Sequence, residues 1–92
     1  MSQIEDAAAE VLTAFIQEIV KAMVDRPQDV IVRARSKPSF LMLDVYVHVS
    51  DVGKVLGRNH ASFHALTTIL IAAAGKLRMS ARLHVVEPSR LK

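Results

Sequence analysis

The sequence predicts a two-layer α+β domain with element order α-β-β-α-α-β, in which three helices cover one face of a three-stranded sheet. Three observations carry this expectation. Ile4, Ala8, Val11, Leu12, Phe15, Ile19 and Met23 recur at helical spacing. Phe40 to Val49 alternates in the manner of a half-buried strand. From Asp51 to Lys76 a short helical stretch, a glycine turn and a longer apolar helix follow one another, and no Asp or Glu occurs from Val52 through Val86.

The apolar spacing places a first helix from about Ile4 to Val24, with Asp6, Glu10 and Glu18 mostly off its buried stripe. Pro27 stops it, because a proline disfavours helical geometry at the preceding Arg26. Val30 to Arg35 is β-branched and alternating, hence a strand, and Ser36-Lys37-Pro38-Ser39 is a turn. In the next strand Leu41, Leu43, Val45, Val47 and Val49 face one way, and Phe40, Met42, Asp44, Tyr46 and His48 the other. Ser50 or Asp51 is expected to cap a helix containing Val52, Val55 and Leu56.

Gly57-Arg58-Asn59-His60 breaks that helix, and a further helix is expected from about Ala61 to Ala74. Its buried stripe reads Phe63, Leu66, Leu70 and Ala73, with Gly75 as C-cap. Met79 to Val86 forms the last strand with Ala81, Leu83 and Val85 inward, and Pro88 ends it. The chain of 92 residues reads as one domain with a frayed tail from about residue 88.

Composition bounds the function. The absence of cysteine excludes disulfides and thiolate metal sites. The start, MSQIEDAAAEV, lacks a signal-peptide pattern, and no apolar run reaches the roughly 18 residues of a membrane span, so a cytoplasmic protein is expected. Charge is segregated: residues 1–29 carry six acids and two bases, residues 30–92 three acids and ten bases. A basic region beside an acidic helix suits a polyanionic partner, though surface scatter gives the same count. A glycine turn that opens a helix inside an acid-free stretch suits a phosphate backbone, because free N–H groups and the helix dipole favour an anion there. From the tetrapeptide alone, a simple helix C-cap at Gly57 with no ligand is the better explanation of the turn.

The element order, the segment VGKVLGRN at 52–59 and the alanine-rich helix after it resemble the type II KH domain. More closely, the chain resembles the small bacterial single-KH RNA-binding proteins, the KhpA-like family. The likeness extends over nearly the whole chain, including Arg26-Pro27-Gln28-Asp29-Val30 and Ala65, Leu66 and Thr68. The family loop is Gly-x-x-Gly, here Gly57-Arg58-Asn59-His60, so His60 replaces the closing glycine. Bases common after the loop are replaced by Ala61, Ser62 and Thr67.

The resemblance implies a module that holds single-stranded RNA with little sequence selectivity, an RNA-chaperone type of activity, and homodimers or pairing with a larger KH-containing protein. It implies that Gly57 lets phosphate approach, that Lys54 and Arg58 supply charge, and that Asn59 and His60 complete the loop. Val52, Val55 and Leu56 would form the groove wall, one or two of them spent in the core, with Arg33, Arg35 and Lys37 on the opposite rim. The rival is a protein-interaction domain whose altered loop no longer binds RNA, using the first helix or an outer patch of Phe40, Met42 and Tyr46. His60 and His64, four apart, lack a third ligand, so neither a metal nor another cofactor is expected. No catalytic constellation is present in the sequence, so an enzyme is not expected.

Overall fold

The computed structural model describes residues 3–86, with side chains from residue 7 onward. The expected side-chain placements of Ile4 and Asp6 lie outside the described side chains, and the expected tail from residue 88 lies outside the described residues. The elements are α1 (Gln3–Met23), β1 (Ile31–Lys37), β2 (Phe40–Tyr46), α2 (Val52–Leu56), α3 (Ala61–Lys76) and β3 (Ser80–Val85). Short 3-10 turns occupy Pro27–Asp29, Val49–Asp51 and Arg58–His60. The order is α-β-β-α-α-β, the expected α+β arrangement, and it fits a type II KH fold.

The sheet runs β1-β2-β3. β1 and β2 are antiparallel across a tight Pro38-Ser39 turn, with Lys37 opposite Phe40. β3 lies parallel to β2, with Leu83 opposite Leu43. Parallel neighbours need a long crossover, and α2 and α3 supply it. The alternation holds as read: Val32, Leu41, Leu43, Val45, Ala81, Leu83 and Val85 are buried beneath the helices. This aliphatic layer meets Leu12, Ile16 and Val20 of α1, Val55 of α2, and Leu66, Leu70 and Ala74 of α3.

The structure corrects several local expectations. On α1 the buried residues are Ala8, Ala9, Leu12, Ile16 and Val20, whereas Val11 and Phe15 remain 66% and 45% exposed. The observed stripe shares Ala8 and Leu12 with the expected one but is centred about 70° away, toward Ile16 and Val20. Its nearly continuous apolar run, Ala7 to Ala9 with Val11, Leu12 and Ala14 to Ile16, supports two adjacent stripes, and packing selects one. β2 stops at Tyr46, so Val49 leaves the sheet and is exposed.

Asp51 holds the N-cap position of α2 as expected but makes no side-chain capping hydrogen bond there; the side-chain cap lies at the preceding 3-10 turn, where His48 Nδ1 accepts from Ser50 N at 3.1 Å. Asp51 is fully buried, and its carboxylate accepts from Asp25 N at 3.2 Å and Arg26 N at 3.0 Å. It therefore fastens the α1–β1 connection to the base of α2.

Gly75 lies inside α3, two residues before its cap, Leu77. Met79 N donates to Ala74 O at 3.0 Å and Arg78 N to Gly75 O at 2.9 Å, with Arg78 at φ 60°. This is a Schellman closure with arginine at the left-handed position usually held by glycine. Accordingly Ala74, rather than Ala73, completes the fully buried stripe of α3.

Candidate nucleic-acid interface

Gly57 ends α2 at φ 77° and ψ 172°, a conformation open essentially to glycine alone. A Cβ there would lie 2.5 Å from Ser62 Oγ and 2.8 Å from Ser62 N, so any side chain would strike the first turn of α3. Asn59 and His60 follow in left-handed geometry, at φ 55° and 62°. His60 thus adopts backbone torsions that suit the family's glycine, which both Asn and His tolerate better than most residues. The loop delivers the chain to the N-terminus of α3 at Ala61, where the helix dipole favours an anion.

Arg58, Asn59 and His60 are exposed together on this loop. Arg58 makes no ion pair among the described residues. Lys54 is engaged, its Nζ 3.6 Å from Asp25 Oδ2, but both partners are exposed. Such a pair contributes little and can be exchanged for phosphate. Of the expected wall residues, Val55 is fully buried and unavailable, Val52 is half-buried, and Leu56 lines an open hollow beside the loop.

That hollow, of about 470 Å³, is bounded by Leu56, His60, Phe63, His84 and Val85. Phe63 also borders a second hollow of about 750 Å³, which includes His64, Thr67 and Ile71 of α3, and Arg82 and Leu83 of β3. Together they make one groove between α3 and the free edge of β3, opening at the glycine loop. His60 and His64 each stand edge-on to Phe63, at ring separations of 6.4 and 5.9 Å. Thr67 Oγ1 is buried in the α3 wall with no hydrogen-bond partner among the described residues. No cluster of three metal-ligating side chains occurs among the described residues.

The strand opposite the loop is therefore β3, which packs against α2 and α3. Arg33, Arg35 and Lys37 stand on β1, at the far side of the sheet, and do not form the rim expected of them. Which strand neighbours the loop depends on strand order, and local sequence pattern does not fix that. Arg82 and His84 were readable only as outward-facing positions of the last strand.

On the outer face, Arg35 holds Asp44 with two hydrogen bonds of 2.8 and 3.0 Å, and His84 Nδ1 lies 3.5 Å from the same carboxylate. Arg35 keeps the Asp44 carboxyl below the usual carboxylate range, outweighing the opposing effect of burial, with a smaller contribution from His84. A lowered folded-state pKa contributes stability above the unfolded value, and that stability is lost as pH falls through the lowered one.

The family model for the KhpA/KhpB KH domain matches residues 13–85. The chain belongs to this family. A protein of Streptomyces coelicolor named RNA-binding protein KhpA is 41% identical over 61 residues, covering 66% of this chain and 77% of the relative. Proteins of the same name from Leifsonia xyli and Halalkalibacterium halodurans are 38% and 32% identical over 76 residues, covering 83% of this chain and 97% and 100% of the relatives. No solved structure gives a significant match. No described helix is long and apolar enough to cross a membrane.

Proposed function

We propose that this KH domain binds single-stranded RNA, with the sugar-phosphate backbone against Gly57–His60 and the bases in the groove between α3 and β3. The carrying observation is the position of the glycine loop, with Arg58 exposed on it, at the mouth of an apolar groove edged by Arg82, His60 and His84. The name of the relatives supports the same ligand. Apolar and aromatic walls, here Leu56, Phe63 and Ile71, accept the face of any base, so selectivity is expected to be low.

Phosphate contact makes affinity depend on salt. With about three to four phosphates contacted, log K against log[salt] is expected to slope near −2 to −3, and Arg58→Ala to weaken all sequences alike and flatten the slope by roughly 0.7 to 1. Fluorescence anisotropy with short homopolymers at two or more salt concentrations measures both. A slope near zero contradicts the reading.

His60 stands where the family loop closes on glycine, and His60→Gly restores the close approach of backbone to phosphate. The variant should bind RNA more tightly than wild type. Titrations of both proteins decide it, and an unchanged affinity removes the loop from the binding site.

Protein interaction, the rival reading, is favoured by one observation. α1 and α3, which pack together, leave Val11, Phe15 and Ile69 exposed. That surface is separate from the loop, so a partner there, including a second KH domain, is compatible with RNA in the groove.

A further inference from the structure

We propose that the open face of the sheet is a second contact surface for the same RNA strand, reached from the groove around the free edge of β3. The proposal rests on the groove reading above and extends it. The face turned away from the helices presents Arg33, Arg35 and Lys37 from β1 and Arg82 from β3, all exposed. Its one acid among the described residues, Asp44, is only 7% exposed and is neutralised by Arg35. The surface offered to solvent is therefore cationic, with no competing exposed carboxylate.

The register orders these charges. Arg35, Met42 and Arg82 form one row across the three strands, and Arg33, Asp44 and His84 the next. Alternate residues along β1 are about 7 Å apart, and β1 and β3 are about 10 Å apart across β2. A flexible phosphodiester chain can follow cations at such intervals. Tyr46 is exposed beside them, with the Arg33 guanidinium 6.0 Å from its ring centroid. A ring paired with a planar cation is a platform on which bases stack without regard to sequence.

Continuity with the groove identifies the occupant. Arg82 lines the α3–β3 groove and points onto the open face, and His84 does the same nearer the loop. A strand longer than the groove thus leaves it over β3 and meets a cationic sheet. Phe40 and Met42 on this face are half-buried, and Ile31 and Tyr46 are exposed at one end of it, but the exposed Arg33, Arg35, Lys37 and Arg82 outnumber them, which suits a polyanion better than an apolar partner.

The test uses labelled oligouridines of about 5 and about 12 nucleotides, spanning less and more than one groove. Arg33→Ala/Lys37→Ala spares the Arg35–Asp44 pair and the loop. The double variant is expected to bind the short oligomer as wild type does, and to bind the long one roughly tenfold more weakly, with a salt slope flatter by about 1 to 1.5. Equal affinity of wild type and variant for the long oligomer overturns the proposal while leaving the groove reading intact. Failure of wild type to bind the short oligomer removes the groove reading and this extension with it. If the double variant keeps wild-type RNA affinity but changes oligomeric mass, the face is a protein interface and the proposal is wrong.

Discussion

Leu70→Ala is expected to destabilise the domain by about 2–5 kcal/mol, enough to unfold much of the population of a protein this small. Leu70 is fully buried on α3, in the same cluster as the fully buried Leu43 of β2. Truncation removes three carbons from a layer in which rigid strands lie on one side and helices on the other. Little can move inward to refill the gap, so the cavity cost adds to the lost burial. Ile71, the next residue, is half exposed toward the groove, and Ile71→Ala should cost less than about 1.5 kcal/mol. Urea unfolding followed by circular dichroism compares the two. Similar small losses for both would show that α3 is rotated from the orientation described.

Asp51→Ala should cost about 2–4 kcal/mol, since two backbone donors lose a charged acceptor in a buried setting. The effect arises at a distance in sequence. Asp25 and Arg26 close α1, and Asp51 opens the segment leading to α2. Without the carboxylate, α2 and the Gly57 loop lose their tie to α1, so RNA affinity should fall even where the variant remains folded. Asp51→Asn keeps the volume but turns an amide N–H₂ toward one of the two donors, and should recover less than half of the loss. Full stability in Asp51→Ala would mean that these hydrogen bonds do not anchor the loop.

Much of this architecture was legible in the sequence because its signals are local. The period of two in Phe40–Tyr46 and Ser80–Val85 assigned both faces of the sheet, and the resemblance carried by VGKVLGRN supplied the fold and loop. The misreadings have a common physical origin. On α1, alanines made two helix faces look equally apolar, and only packing against the sheet separated them. Asp51 stands at the N-cap of α2, but its hydrogen-bond partners lie about 25 residues upstream, beyond the reach of a local pattern. Arg33, Arg35 and Lys37 looked like a groove rim because chain proximity was taken for spatial proximity, whereas the parallel placement of β3 puts Arg82 and His84 at the groove instead. Gly75 looked like a C-cap by residue type, yet the left-handed position fell three residues later on Arg78.

In the proposed complex the Gly57–His60 loop and the β3 groove hold single-stranded RNA. Titrating ¹⁵N-labelled protein with an oligouridine of about 5 nucleotides tests it most directly, because each backbone amide reports separately. The largest shifts are expected at Gly57, Arg58, Asn59 and His60, in the first turn of α3, and at Arg82 to Val85, with the exposed face of α1 unchanged. No shift up to about 1 mM RNA, or shifts confined to Val11, Phe15 and their neighbours on α1, would contradict it.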